Sequence, residues 1–561
     1  MGDLGGEPLS NAAKETHRPH VFLEYAKRAM VFLFRWSTTQ IDRVKVLTIA
    51  FNLHRLMRFS RSSGVLLHPT CFPGRFGIGE LGAEAHRFIE FLAQSGQQFW
   101  QVLPLGPTGY GNSPYASYSS MAGNPMLISL ETLMQRGLLV ESDFHDLPEF
   151  SPDQVDYDRV YAAKLPLWKK ACEAFKAQAS LEEKHDFAQF CDRKSDWLDD
   201  YALFMALKDA SDGKSWYDWE PELMQRKPSA IDQARRRLTN EIFYQKYLQF
   251  EFFRQWSDLR HHANENGVQI IGDIPIYVAH DSVDVWAHPA NFKLNEETGQ
   301  PELMAGVPPD YFSETGQLWG NPLYDWDYLE RSDFKWWIQR FEAMLDLVDW
   351  IRIDHFRGFE SYWAVPFGEA TAMNGTWIEA PGEKFFRVLN QNLGKLPILA
   401  EDLGIITPEV EKLRDDFEFP GMKIIHFAFG SDPGNPYLPF NYPRNCLVYT
   451  GTHDNDTSVG WYASLSEHDR ENLMHYIGCV SSEGVHWDLI RVAMSSIAAL
   501  SIIPLQDLFG LGTEARMNVP SQAEGNWAWR YRPELLSDEV RDRFATLTRV
   551  FGRAPLTQHH C

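Results

Sequence analysis

Acidic residues stand near or just after the ends of four short apolar runs of this sequence, where buried strands would end. The carboxylates concerned are Asp273, Asp354, Glu401 and Asp454. If the runs are parallel strands of one barrel, their C-terminal ends open at one face and bring these carboxylates together. Like charges held close raise some of their pKa values, so that one carboxyl can donate a proton while another stays ionised. Such a division of roles is typical of glycosidic-bond chemistry.

Basic residues accompany two of these acids. Arg352 stands two residues before Asp354, and two such positions share one face of a strand. The arginine would keep Asp354 ionised, as a nucleophile requires. His355 follows Asp354, and His453 precedes Asp454. A single acid at a strand end more often caps a helix or forms an ion pair, so it is the combination that indicates a reactive site.

Aromatic residues make up 14% of the chain, and several lie in the segments predicted at the barrel mouth. The apolar face of a sugar ring packs on an aromatic ring, so an acidic groove lined with such rings suits a neutral polysaccharide. Ordinary core packing is the alternative, and we expect it for about half of the set. The set is Tyr110, Tyr115, Tyr118, Tyr311, Phe312, Trp319, Trp363 and Trp377.

Eight short apolar runs alternate with stretches long enough to form helices. Runs of this kind indicate strands buried on both faces, and eight of them predict an α/β fold, a (β/α)₈ TIM barrel rather than an open sheet. The runs are residues 65–67, 100–105, 268–276, 350–353, 397–400, 422–427, 447–450 and 500–505.

The spacing of the runs predicts two large insertions. Residues 106–267, between the second and third strands, contain apolar residues with a helical period and should form a mainly helical subdomain. Residues 279–333, between the third and fourth strands, are too long for a simple connection. Their glycines and prolines predict an ordered substrate loop near the barrel mouth.

Charge and cysteine content exclude several classes of function. The chain has 561 residues, with 53 basic and 76 acidic side chains and a net charge of −23. Because nucleic-acid binding needs clustered lysines and arginines, we expect no nucleic-acid partner. The six cysteines stand far apart, which argues against a zinc ribbon or a disulfide scaffold and favours a reducing compartment. We predict no metal site, no cofactor and no membrane span.

The first 63 residues differ from the rest, with ten basic residues against five acidic ones. We interpret residues 1–63 as a noncatalytic extension, with an organelle transit peptide as the alternative. The predicted location is the cytoplasm, or the plastid stroma if residues 1–60 are a transit peptide. The barrel should occupy residues 64–530, and residues 531–561 should form a C-terminal helical segment and tail.

A glycine motif raises a rival class. Residues Gly77 to Gly82 fit the dinucleotide-binding pattern G-x-G-x-x-G. However, Gly77 lies nine residues beyond His68, not in a tight turn after a strand, and no acid that could hold a ribose ends the second run. We therefore interpret these glycines as part of a barrel loop.

Longer motifs identify a family that this chain resembles. Across residues 64–530, the sequence is similar to the 4-α-glucanotransferases of the amylomaltase or disproportionating-enzyme type, glycoside hydrolase family 77. The motifs that carry the resemblance are Leu66-Leu67-His68-Pro69-Thr70, Ser113-Pro114-Tyr115, Gly306-Val307-Pro308-Pro309-Asp310-Tyr311-Phe312, Gly316-Gln317-Leu318-Trp319-Gly320-Asn321-Pro322 and Gly525-Asn526-Trp527-Ala528-Trp529-Arg530.

The resemblance implies a retaining 4-α-glucanotransferase that moves α-1,4-glucan segments through a covalent glucosyl-enzyme, without a cofactor. Its partners would be maltooligosaccharides and starch or glycogen chains, with glucose as an acceptor. By the same resemblance Asp354 is the nucleophile, Glu401 the general acid/base, and Asp454 the acid that holds the sugar hydroxyls. The implied substrate-binding residues are Tyr115, Asp310, Tyr311, Phe312, Gln317, Trp319, Asn321, Arg352, His355 and His453.

Two alternatives to this function stay open on the sequence. An α-1,4-glucan hydrolase would use the same three acids, with water in place of the acceptor sugar. A noncatalytic glucan-binding barrel would keep the aromatic residues but should lose at least one of Asp354, Glu401 and Asp454. This chain retains all three.

Overall fold

The computed structural model of the protein describes residues 60–309, 313–522 and 524–555. Its strands belong to two sheets, one of eight parallel strands and one of four antiparallel strands. The twelve strands are β1 Ser62–Leu66, β2 Phe99–Gln101, β3 Gln269–Pro275, β4 Leu303–Val307, β5 Gln317–Pro322, β6 Trp350–Asp354, β7 Ser361–Pro366, β8 Thr376–Glu379, β9 Ile398–Ala400, β10 Gly421–Ile424, β11 Cys446–Tyr449 and β12 Leu500–Pro504.

The eight parallel strands form a closed barrel. Their order is β10–β11–β12–β1–β2–β3–β6–β9, and the backbone N–H of Ala400 donates to the carbonyl of Pro420, 2.9 Å away, between the last strand and the first. Each of the eight predicted apolar runs contributes one of these strands. Val65, Trp100 and Leu399 are completely buried, as parallel strands covered by helices require. The predicted (β/α)₈ barrel is therefore confirmed.

Eighteen helices are present in the parts of the chain that the structure describes. They are α1 Ala83–Gln94, α2 Leu130–Gln135, α3 Tyr157–Gln178, α4 Leu181–Arg193, α5 Ser195–Ala210, α6 Pro221–Met224, α7 Pro228–Arg237, α8 Thr239–Glu265, α9 Val283–Ala287, α10 Trp326–Arg331, α11 Lys335–Leu347, α12 Gly382–Leu393, α13 Pro408–Asp416, α14 Ser458–Ser464, α15 Glu467–Ile477, α16 Val485–Ser495, α17 Leu505–Phe509 and α18 Asp538–Val550.

Seven of these helices, α2 to α8, lie between β2 and β3, so the predicted helical insertion is confirmed. The longest, α8, has 27 residues and joins the insertion to the barrel. Its Trp256 is buried and donates from Nε1 to the carbonyl of Leu347 at the end of α11. The insertion is thus anchored to the barrel through α8.

In its described residues, the segment between β3 and β6 is ordered, as predicted, but it forms more than a loop. It contains α9 and the strands β4 and β5, and β4 also pairs with β7, which follows β6. The resulting sheet has the order β5–β4–β7–β8. Because it is assembled from two separate connections that both follow barrel strands, it lies at the C-terminal end of the barrel.

Two arginines, Arg61 and Arg553, connect the two ends of the described chain by hydrogen bonds. Arg61 donates to the carbonyls of Met494, Ser496 and Phe551 over 2.6–2.7 Å. The fully buried Arg553 donates to the carbonyl of Ser62 at 2.7 Å and also to that of Met494. Strand β1 begins at Ser62, two residues before our predicted barrel start, and the other predicted domain limits stay predictions.

Candidate active site

The structure brings the four strand-end carboxylates to one mouth of the barrel. Asp273 belongs to β3 and Asp354 ends β6, while Glu401 directly follows β9 and Asp454 lies in the loop after β11. In the sheet register Asp273 stands opposite Arg352. The backbone N–H of His355, next to Asp354, donates to Glu401 Oε2 at 2.7 Å, so the carboxyls of Asp354 and Glu401 are neighbours.

Arg352 is buried and shared between two of these carboxylates. Its Nη1 donates to both oxygens of Asp273 at 2.8 and 2.7 Å, and its Nη2 donates to Asp354 Oδ1 at 2.8 Å. The hydroxyl of Tyr115 also donates to Asp273, at 2.7 Å. Arg352, itself held by Asp273, therefore fixes the position of the Asp354 carboxylate. The Asp354 side chain is still 31% exposed.

The pKa of Asp354 is raised to about 6: burial raises it most, Arg352 lowers it, and the charges of Asp273 and Asp454 raise it. Our sequence interpretation assigned Arg352 the task of keeping this carboxyl ionised. The ion pair is present, but it does not hold the pKa below its ordinary value, because burial raises the pKa by more than Arg352 lowers it.

The pKa of Glu401 is raised further, to about 8, by burial and by the charge of Asp354. Arg352 and the N–H groups of Leu403 and His355, which donate to the two oxygens of Glu401, lower it. Between pH 6 and pH 8 the proton therefore resides on Glu401 and the negative charge on Asp354. This is the protonation that an acid and a nucleophile need before a glycosidic bond breaks.

Asp454 is positioned by the segment that follows β12. Asn518 Nδ2 donates to Asp454 Oδ1 at 2.6 Å, and Arg516 Nη2 donates to the backbone carbonyl of Asp454 at 2.7 Å. The Nε2 atom of the buried His453 lies 3.3 Å from Asp454 Oδ2. The remaining side-chain surface of Asp454, 45%, faces the cleft and is available to hydroxyl groups of a ligand.

The loop that carries His453 and Asp454 is held at both ends by one buried carboxylate, Asp507 in α17. Thr450, just before the loop, donates from Oγ1 to Asp507 Oδ2 at 2.5 Å. Ser458, just after the loop, donates from its backbone N–H at 2.7 Å and from Oγ at 2.8 Å. Because these bonds are buried, Asp507 fixes the distance between the two ends of the loop.

Aromatic rings form two walls of the cleft. Tyr115 stacks on His453 with ring centroids 5.3 Å apart, and Trp527 packs beside both. On the other side the ring of Trp319 meets His355 edge-on at 4.8 Å, and 38% of Trp319 is exposed. These surfaces can stack on sugar rings above the carboxylates.

His355 adopts a left-handed backbone conformation, with φ of 53°. A non-glycine residue in this region is uncommon and often marks a functional site. Burial lowers the pKa of His355 to about 3, so its ring is neutral, and its Nε2 is buried without a hydrogen-bond partner. The conformation turns the chain sharply after Asp354 and points the His355 N–H at Glu401.

The remaining predicted binding residues differ in their placement. Gln317 Oε1 accepts a bond from Trp319 Nε1 at 3.2 Å and so supports that ring. Asn321 donates from Nδ2 to the carbonyl of Val278 at 2.8 Å, which gives this group a structural role. Asp310, Tyr311 and Phe312 lie outside the described residues.

Three polar residues of the site were not singled out from the sequence: Asp507, Arg516 and Asn518. Each acts by hydrogen bonds to residues about 50 to 65 positions earlier in the chain, so no local motif could indicate them. Trp527 stood within a motif that carried the family resemblance, although we assigned it no role.

Two features are absent from the described residues: a metal-ligand cluster and a membrane-spanning helix. This part of the chain holds no cluster of three or more His, Cys, Asp or Glu side chains suited to a metal ion. Among the helices that the structure describes, none is both long and apolar enough to cross a membrane.

Known proteins resemble this chain over most of its length. The family profile described as 4-alpha-glucanotransferase, glycoside hydrolase family 77, matches residues 67–536. The 4-alpha-glucanotransferase of Synechocystis sp. is 56% identical over 495 residues, which cover 88% of this chain and 98% of that protein. A Solanum tuberosum protein named "4-alpha-glucanotransferase, chloroplastic/amyloplastic" is 44% identical and covers 87% of this chain and 87% of its own length.

A solved structure shows the same similarity. The amylomaltase of Streptococcus agalactiae, determined in complex with acarbose, is 38% identical and has a TM-score of 0.85. The match covers 88% of this chain and 100% of that one. The residues matched by the family profile include all four carboxylates and both aromatic walls of the cleft.

Proposed function

Since the chain belongs to glycoside hydrolase family 77, the 4-alpha-glucanotransferases, we propose that Asp354, Glu401 and Asp454 carry out its transfer reaction. The enzyme moves α-1,4-glucan segments from a donor glucan to an acceptor glucan. The observation that carries the assignment of roles is geometric. The buried Arg352 donates to Asp354, and the N–H groups of His355 and Leu403 hold the Glu401 carboxyl next to it. Burial and neighbouring charges raise the pKa of Asp354 to about 6 and that of Glu401 to about 8, which fits these roles.

In the first step the Asp354 carboxylate attacks the anomeric carbon of the donor. Glu401 gives its proton to the glycosidic oxygen, so the bond to the departing glucan breaks as the ester bond to Asp354 forms. The binding of Arg352 to Asp354 orients the attacking oxygen. Asp454 accepts hydrogen bonds from hydroxyls of the same sugar, with Asn518 and His453 holding its carboxylate.

In the second step the roles of Glu401 reverse. Once Asp354 is esterified its negative charge is gone, and with it the second-largest cause of the raised Glu401 pKa. Glu401 can then take the proton from the 4-hydroxyl of an acceptor glucan, whose oxygen attacks the anomeric carbon and releases Asp354. Two displacements leave the α-configuration unchanged.

Transfer prevails over hydrolysis when the acceptor sugar is bound and water is excluded from the covalent intermediate. The Tyr115–His453 stack and the exposed ring of Trp319 supply aromatic surface on both sides of the carboxylates. We propose that maltooligosaccharides, ends of starch or glycogen chains, and glucose serve as acceptors. Incubation with maltotriose tests this, because transfer gives glucose plus longer glucans, whereas hydrolysis gives only shorter sugars.

The nucleophile is tested by Asp354→Asn, which removes the attacking oxygen anion with little change in volume. We expect transfer to be abolished while maltooligosaccharide binding and the melting temperature stay close to the wild-type values. Turnover above about a tenth of the wild-type rate, equivalent to a barrier increase of less than ~1.4 kcal/mol, would show that Asp354 is not the nucleophile.

The cellular compartment depends on residues 1–63. We propose a cytoplasmic enzyme if this segment is a noncatalytic extension, and a plastid enzyme if residues 1–60 act as a transit peptide. Fusion of residues 1–63 to a fluorescent protein distinguishes the two: import of the fusion into plastids, with cleavage of the segment, would establish the second alternative.

A further inference from the structure

Trp377 is an aromatic residue of the predicted mouth that the proposed catalytic steps do not use. It lies on β8, the edge strand of the four-stranded sheet, paired with Trp363 of β7. The centroids of the Trp363 and Trp377 rings lie 5.3 Å apart, and the angle between the ring planes is 64°. Nevertheless 41% of Trp377 is exposed, which is unusual for the largest apolar side chain.

One face of the Trp377 ring is fixed by a buried cation. The Cζ atom of Arg357 lies 4.0 Å from the centroid of the Trp377 ring. Arg357 is itself held, because its Nη1 donates to the carbonyl of Ile405 and its Nη2 donates to Ser361 Oγ at 3.2 Å. Since Arg357 covers one face and Trp363 touches the edge, the exposed area of Trp377 forms a rigid, flat surface.

The contacts of Arg357 link this surface to the segment that follows the acid/base. Arg357 comes three residues after Asp354, and Ile405, to whose carbonyl it donates, comes four residues after Glu401. Ile405 is 58% exposed and so adds an apolar side chain to the segment that connects Glu401 with the Arg357–Trp377 pair. A general acid lies next to the oxygen of the leaving group, so the departing and incoming glucans extend on the Glu401 side of the reacting sugar.

We propose that Trp377 and Ile405 form an acceptor subsite, which binds a glucose ring of the acceptor chain beyond the ring that reacts. The apolar C–H face of that ring would stack on the open face of Trp377. A glucose molecule is too short to occupy the reacting position and this surface together. Trp377 therefore favours long acceptors over glucose. This inference rests on the proposed transfer function and adds the residue that selects acceptor length.

The experiment uses α-glucosyl fluoride as the donor, because it fills only the donor side of the cleft. Fluoride release is measured with glucose or maltopentaose as the varied acceptor. For Trp377→Ala we expect the KM for maltopentaose to rise about three- to tenfold, as loss of one aromatic stacking contact predicts. The KM for glucose and the kcat values with both acceptors should stay within about twofold of the wild type.

Two further variants separate binding from folding. Trp377→Phe keeps a ring against Arg357 and should raise the maltopentaose KM less than Trp377→Ala does. Tyr161→Ala is the matched control, since Tyr161 is a comparably exposed aromatic residue, 46%, on helix α3, where it packs on Trp168. We expect neither KM to change in that control, and melting temperatures show that each variant is folded.

The subsite is refuted if both folded Trp377 variants leave the maltopentaose KM unchanged, or if the KM for glucose rises by the same factor. Either result leaves the proposed function intact, because the wild type still transfers glucose units. Failure of the wild type to use any acceptor would instead refute the proposed transfer function. The two hypotheses therefore fail in different measurements.

Discussion

Replacement of Glu401 by Gln tests where the proton resides. In the wild type, kcat/KM for maltotriose requires an ionised Asp354, with its pKa of about 6, and a protonated Glu401, with its pKa of about 8. The rate should rise as pH increases through 6 and fall as pH increases through 8. The reactive form should therefore be most abundant between these two pH values and decline on either side of them.

Glu401→Gln keeps the shape of the side chain but cannot transfer a proton. Natural glucans should react about 10²- to 10⁴-fold more slowly, the usual contribution of a general acid. With α-glucosyl fluoride the leaving group needs little protonation, so the covalent enzyme should still form. Its rate of formation should rise through pH 6 as before, because burial, Asp273 and Asp454 still raise the pKa of Asp354. The fall above pH 8 should disappear.

The assay combines rapid-mixing measurement of fluoride release between pH 4.5 and pH 9.5, at about half-unit steps, with mass spectrometry of the intact protein. The Gln variant should accumulate one added glucosyl mass and then stall, since no base activates the acceptor. Asp354→Asn is the control and should form no adduct. A fall in rate above pH 8 that persists in the Gln variant would assign that titration to another group and refute the proposed division of the proton between Asp354 and Glu401.

Three other predictions follow from the hydrogen bonds around the site and at the chain ends. Asp507→Ala should lower the melting temperature by a few degrees and kcat by about tenfold or more, because it leaves buried donors unpaired, at ~1–3 kcal/mol each, and loosens the loop of Asp454. Asn518→Ala should lower kcat/KM about tenfold with little change in melting temperature, since only one part-buried bond to Asp454 is lost. Deletion of residues 1–59 should leave activity and melting temperature unchanged. By contrast, Arg61→Ala should lower the melting temperature. Calorimetry measures the melting temperatures of all these variants, and maltotriose turnover measures their activity.

The barrel could be predicted from the sequence because its strands are buried on both faces. Such strands appear as short, mainly apolar runs, and the runs at 350–353 and 447–450 lie within one residue of the observed strands. The four-stranded sheet was not predicted, because β4 lies in the connection before β6 and pairs with β7, which lies in the connection after β6. No local pattern encodes a pairing between such distant segments, and the glycines and prolines of residues 303–322 favoured a loop.

Prediction from local sequence reaches the same limit at the candidate active site. The carboxylates could be predicted, since each stands at the end of an apolar run. The raised pKa of Asp354 could not, because it depends first on burial and also on Asp273, a residue 79 positions before Arg352 that shares the same guanidinium. Asp507 likewise acts on Thr450 and Ser458 only after α17 has packed beneath the loop. Local spacing therefore indicates which groups react, and tertiary structure sets how they titrate.

The hydrogen bonds of Arg61 and Arg553, which join distant parts of the chain, bear on how the protein folds during its synthesis. The carbonyls that bind Arg61, just before β1, belong to Met494, Ser496 and Phe551, which are synthesised 433 to 490 residues after it. We expect β1 to stay unpaired with β12 until β12 has left the ribosome, and the barrel to close only then. Contacts this distant in sequence slow folding, so the emergence of β12, not of the catalytic residues, should limit the gain of activity in a cell-free translation reaction.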